Sequence, residues 1–207
     1  MATLTTLNTN KPFAEIIESS LTQWVAQSWQ WNTFPSFGAL VTLANEHITH
    51  VALVTGIQTG SSDPSRTPIP YQKTEDELHA EQPQIFAFLK TTFTCVPLGY
   101  FDKGRLRYQL PPQPPKIHSF VQTADLATSR QFFAHTQYLH VLFGMSNQIV
   151  YMDELLLAIL EQQASIGALT QERVITIIET ISLLTGNDYR RLKLFLQRAQ
   201  PIIQSKE

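Results

Sequence analysis

The chain has 207 residues, of which 43% are hydrophobic and 15% charged, with a formal net charge of −2. Such a composition supplies a packed core and excludes an intrinsically disordered chain. The first 120 residues carry eight Lys/Arg against nine Asp/Glu, and the rest carry seven against eight. Both halves are therefore near neutral, without the broad basic excess of a dedicated nucleic-acid binder.

Residues 1–11 are rich in Thr and Asn and lack an apolar stretch, so they do not read as a signal peptide. Phe13–Glu18 and Thr22–Gln30 then read as a strand pair about Ser19-Ser20. Phe37–Leu43 and Ile48–Gln58 read as a second pair, joined by a turn at Asn45-Glu46-His47. Trp29 and Trp31 lie two apart. On a strand they share one face, as core or as an exposed aromatic patch for a partner or a second copy.

Residues 59–72 form a loop punctuated by Pro64, Pro68 and Pro70. Asp63 and Arg66 stand three apart around Pro64, either pairing to fix the loop or presenting charge to a partner, with Tyr71 nearby. Thr74 and Glu77 make a T-x-x-E capping box that starts a short helix, and Gln82-Pro83 opens another. Phe93–Tyr100 is the fifth expected strand, and Arg105–Leu110 the sixth, after a turn at Asp102-Lys103-Gly104. Lys103, Arg105 and Arg107, spaced by two, make a basic stripe beside Tyr108.

Pro111–Pro115 marks the boundary, as a stiff spacer or surface strap. The sharper alternative is a PxxP ligand. Beyond Val121 the apolar period changes from 2 to 3.6. Four helices are expected: Asp125–Phe143, Met152–Gln163, one from Thr170 to Gly186, and one capped by Asp188 that stops near Pro201. Arg190, Arg191, Lys193 and Arg198 give the last a basic side. The reading is thus α+β: a small six-stranded β-barrel over 12–120 with a loop and short helices at 60–92, then a four-helix segment over 121–205.

Signatures of chemistry are sparse. No Gly-Lys dipeptide of a P-loop, no GxGxxG and no G-x-S-x-G occurs. His135 and His140 are five apart on a helix, which puts them on different faces, and His47 and His50 read as solvated turn histidines. Cys95 is the single cysteine, so no internal disulfide forms, and its apolar strand makes it a small hydrophobe. No cofactor or metal is expected, no apolar run is long enough to span a bilayer, and the cytoplasm is the expected compartment.

Phe37-Gly38-Ala39-Leu40-Val41, the run Ala52–Gly60, Leu98-Gly99-Tyr100 and the segment Leu110–His118 resemble the HAS-barrel family. That family is named for the HerA DNA-translocating ATPase and the ATP synthase. The resemblance covers about residues 13–120 and is strongest to stand-alone bacterial members. It implies a six-stranded barrel that mediates contacts between protein subunits. It carries over no catalytic residue and no ATPase activity, because helices stand where the family's ATPase domain follows. Three functions compete on this basis. The first is a non-enzymatic adaptor or assembly factor, with a protein partner. The second is a nucleic-acid accessory protein using Lys103, Arg105, Arg107 and the last helix. The third is an enzyme built on Asp63, Arg66, Tyr71 and His118.

Overall fold

A computed structural model describes residues 11–45, 47–65, 67–186 and 188–204. The strands are β1 (Ala14–Ser19), β2 (Trp24–Ser28), β3 (Leu40–Ala44), β4 (Ile48–Ser61), β5 (Leu89–Asp102), β6 (Arg105–Arg107) and β7 (Phe120–Thr123). They form one antiparallel sheet in the order β2-β1-β7-β3-β4-β5-β6. β2 also pairs with β5, which closes six strands into a barrel and leaves β6 as a flap on β5. Register shifts at Ile16/Glu18, Val51/Ala52 and Val54/Gly56 supply local bends of the kind that closing so small a barrel requires.

The sixth barrel strand is not the expected Arg105–Leu110. That segment forms only the three-residue β6. The barrel is closed by β7, which fills the gap between β1 and β3 with partners on both sides. The proline run brings the chain there as a strap. Ser19 Oγ donates to the Pro115 carbonyl at 2.6 Å, and the His118 N–H donates to the Ile16 carbonyl at 2.9 Å. Pro111 and Pro115 are buried. A PxxP groove ligand needs those prolines exposed, so the strap reading holds.

Side chains alternate about the barrel wall. Ile16, Trp24, Val41, Val54, Phe93 and Cys95 fill the interior. Their neighbours Leu40, Val51, Leu53, Val96 and Leu98 point outward, yet they are also buried, in a second core shared with the helices. β3 and the middle stretches of β4 and β5 are thus covered on both faces, which explains apolar runs such as Val51–Val54.

The helices are α1 (Glu75–Glu81), followed by a 3₁₀ turn over Pro83–Phe88, then α2 (Leu126–Phe132), α3 (Gln137–Gly144), α4 (Met152–Ser165), α5 (Gln171–Leu184) and α6 (Tyr189–Gln204). The Thr74 capping box of α1, the Thr170 cap of α5 and the Asp188 cap of α6 form as expected. The helix expected over 125–143 is instead two. α2 ends at Phe132 and α3 begins at Gln137, with turns between them closed by the Ala134 N–H on the Gln131 carbonyl and the Leu139 N–H on the Thr136 carbonyl. The break leaves the Ala134 carbonyl without a helical partner, and Arg173 of α5 donates to it. α6 runs through Pro201 instead of stopping there, and Ile202 and Ile203 pack against the shared core.

α4 locks the helices to the barrel. Gly38, at φ +74°, lies so close to α4 that a Cβ would stand 2.5 Å from the Ala158 methyl. One turn on, the Gln162 amide, oriented to satisfy both partners, donates to the Gly38 carbonyl at 3.1 Å and accepts from the Leu40 N–H at 3.2 Å. The helices thus cover the β3–β4–β5 side and leave the β1–β2–β7 wall open.

Candidate functional site

The open wall carries an ordered aromatic cluster. Glu15 of β1 pairs with Phe120 of β7 on one side and Gln27 of β2 on the other. β2 ends at Ser28, and the Trp29 N–H then donates to the Phe13 carbonyl, which holds the Trp29 backbone against β1. Trp29 meets Phe120 edge-on with ring centroids 5.5 Å apart, and its indole N–H donates to Glu15 Oε1 at 2.9 Å. The other carboxylate oxygen of Glu15 lies 3.2 Å from His118 Nδ1. His118 sits at φ +66°, where the strap turns into β7. Trp29 is 53% and Phe120 55% exposed. Two large rings held at fixed geometry yet half open to solvent have the character of a contact surface. Ile17 of β1 and Ile117 of the strap are also exposed.

Trp31 does not join this wall. The strand pairing that would place both tryptophans on one face stops before them, and the chain turns away. Trp31 stacks on Phe86 of the 3₁₀ turn at 5.7 Å, and Phe86 stacks on His79 at 3.8 Å. The Thr91 hydroxyl donates to the Trp31 carbonyl. Trp31 therefore anchors the 60–88 insertion. Trp24 is the core tryptophan, inside the barrel.

The 59–72 loop encloses space on two sides. A cavity of about 530 Å³ lies between Asp63, Pro64 and the outer surface of β1, β2 and β5, where Ile17, Val25, Thr92 and Thr94 line it. A second, also about 530 Å³, lies under Ile69 and Tyr71. Asp63 Oδ1 accepts from the Ser65 N–H and hydroxyl at 2.9 and 2.6 Å. Arg66 lies outside the described residues, and with it the Asp63–Arg66 pair; so does Glu46 of the expected turn. Asp63 and Tyr71 line different cavities, and His118 stands against Glu15.

The basic stripe is shorter than its spacing suggested. Lys103 sits in the turn with Gly104, at φ +49°, so only Arg105 and Arg107 share a strand face. Arg107 Nε lies 3.7 Å from Asp102 Oδ2. Tyr108 turns from the stripe toward the helices, where its hydroxyl donates to the Phe132 carbonyl at 2.6 Å and burial pushes its pKa up to about 12. On α6, Arg191 and Arg198 pair with Asp153 and Glu154 of α4 at 2.8 and 2.6 Å. Those two cations bridge α6 to α4 at the surface, beside the buried Leu192, Phe195 and Ala199.

Cys95 is fully buried in the barrel, and desolvation pushes its thiol well above its usual pKa, which denies it a thiolate. His50 is not a solvated turn residue. β4 begins at Ile48, so His50 falls on the inward face with Ala52 and Val54, fully buried, and desolvation lowers its pKa to about 4. Its Nε2 lies 3.0 Å from Asn45 Nδ2, while Nδ1 has no protein partner. Among the described residues, no three His, Cys, Asp or Glu side chains stand close enough together to hold a metal ion. Among the same residues, no helix is long and apolar enough to cross a membrane.

Sequence reasoning missed Phe120 and Glu15 as parts of one site. Their pairing depends on β7 returning to β1 across 105 positions, and no local pattern encodes that. No protein-family model matches the chain, and no curated protein matches it.

Proposed function

We propose that this chain is a non-enzymatic protein-binding module, an adaptor or assembly factor whose barrel wall around Trp29 and Phe120 receives a protein partner. The observation that carries this reading is the exposed Trp29–Phe120 pair, fixed by Glu15, on the one barrel face the helices leave open. Tryptophan and aromatic anchors of this kind dominate the energetics of protein interfaces. The likeness to HAS barrels, which join subunits within rings, supports the same role, and an ATP-synthase-type ring subunit is a client suggested by that analogy alone. The lone buried thiol fits a cytoplasmic or similarly reducing setting.

The charges around the wall favour a protein over a nucleic acid. Glu15 and Glu18 of β1 are acidic, Lys90 lines a cavity with Glu18, and Lys116 is exposed on the strap. Lys103, Arg105 and Arg107 about β6 and Arg190 and Lys193 on α6 are the exposed cations that a nucleic-acid role would use. Binding to DNA or RNA that weakens steeply with salt and is lost in Arg105→Ala/Arg107→Ala would establish that role instead.

The test is affinity purification of the tagged chain from its native cells at native abundance, beside Trp29→Ala/Phe120→Ala. A stoichiometric protein captured by the parent and lost from the double variant supports the adaptor reading. Equal capture by both removes the wall from it, and recovery of nucleic acid alone removes the adaptor.

A further inference from the structure

The insertion between β4 and β5 has apolar side chains and no core. From Thr55 to Lys90 no described residue is buried. α1 and the 3₁₀ turn likewise contain none. Ile69, Leu78, Ile85, Phe86, Phe88 and Leu89 nevertheless converge on one cavity of about 530 Å³. Its walls come from three segments: the loop on one side, α1 and the 3₁₀ turn on another, and the start of β5. Ile69 is 64% exposed. The insertion is held by contacts at its margins. These are the Trp31–Phe86–His79 stack, the Thr74 capping box, the Lys73–Glu81 ion pair and the Ser62 N–H on the Phe88 carbonyl. Leu78, Ile85, Phe86 and Leu89 are half-buried in its walls, while Ile69 and Phe88 are exposed, so an apolar group in the cavity adds to the burial of this surface.

We propose that this cavity is a binding site for a neutral, lipophilic small molecule. The volume lies within the range of ligand pockets, and the lining is mostly apolar with a few hydroxyls. Thr67 and Tyr71 bring hydroxyl groups to it. Among the described residues no charged side chain lines it. The apolar walls and the hydroxyls of Thr67 and Tyr71 suit an uncharged compound with an apolar body and at most a hydroxyl or carbonyl head. A charged head would be desolvated without compensation. The site is separate from the Trp29–Phe120 wall, so it stands whether or not that wall binds protein.

The test is fluorescence titration of the full chain with N-phenyl-1-naphthylamine, a neutral lipophilic probe. We expect one saturable site per chain, displacement by 1-decanol, and little displacement by decanoate. Ile69→Asp, at an exposed position that does not threaten folding, weakens binding at least tenfold. Tyr189→Asp, beside the separate groove along α6, leaves it unchanged. Because Trp31 stacks on the lining residue Phe86, a shift in tryptophan emission that disappears in Trp31→Phe locates the probe. Four results would each overturn the proposal: no saturable uptake, as when a second copy or a partner segment occupies the cavity; equal displacement by decanoate; loss of binding in Tyr189→Asp; or retention in Ile69→Asp.

Discussion

The two outer faces of the barrel differ in what covers them. Leu53 on β4 and Phe120 on β7 are both apolar side chains pointing out of the barrel. Leu53 is fully buried beneath the helices, and Phe120 is 55% exposed. One face exchanged water for a helical layer, locked by the Gly38–Ala158 approach and the Gln162 amide. The other kept its aromatic rings at the surface and ordered them with a carboxylate. The first face accounts for stability, and the second is where binding is sought.

The largest effect expected separates the faces directly. Leu53→Ala removes a fully buried side chain and costs about 2–5 kcal/mol, whereas Phe120→Ala changes stability by about 0.5 kcal/mol or less. Urea denaturation of both variants measures this, and similar losses would break the contrast.

A pH effect comes from the interior between the two faces. His50 is neutral in the folded barrel down to about pH 4, while an unfolded histidine takes up its proton near 6.5. The unfolded state therefore binds more protons between those values. Stability is full above about pH 6.5 and falls as the pH drops toward 4, by ~3 kcal/mol from this residue. Thermal unfolding across that range measures the slope, and His50→Gln should flatten it.

A smaller loss is expected at the lock. Gln162→Leu leaves the Gly38 carbonyl and the Leu40 N–H without their side-chain partner and costs about 1–3 kcal/mol. Hydrogen exchange at Leu40 should rise in this variant, with exchange inside β1 unchanged. The smallest effect on stability is at the open wall, where Glu15→Ala removes the acceptor of the Trp29 indole. We expect a change of about 0.5 kcal/mol or less together with a shift in Trp29 emission, since an exposed contact contributes little to folding. Partner capture, if it uses the wall, should fall in this variant while the Leu53 face stays intact.

Much of the fold was legible because it is written in local pattern. Short bursts of β-branched and aromatic residues place β1 to β5. The Thr74, Thr170 and Asp188 caps open three helices where expected, and the change of period after Val121 separates strand from helix. A buried Cys95 follows from its apolar strand. The misreadings have equally physical causes. Arg105–Leu110 looks like a barrel strand because alternation cannot show which edge a strand will reach. Asp125–Phe143 looks like one helix because its apolar residues Leu126, Phe133, Leu139 and Leu142 carry no Gly or Pro between them to mark the break.

By itself, then, the sequence determined the α+β class, the helix starts, the stiffness of Pro111–Pro115 and the lack of nucleotide-binding motifs. Each of these rests on backbone propensity or on spacing within a few residues. Tertiary structure alone decided that β7 closes the barrel, that Trp29 and Trp31 part company, that His50 is buried and that Glu15, Trp29, Phe120 and His118 share one wall. These depend on contacts between segments up to about a hundred residues apart, whose register is set by barrel closure and core packing.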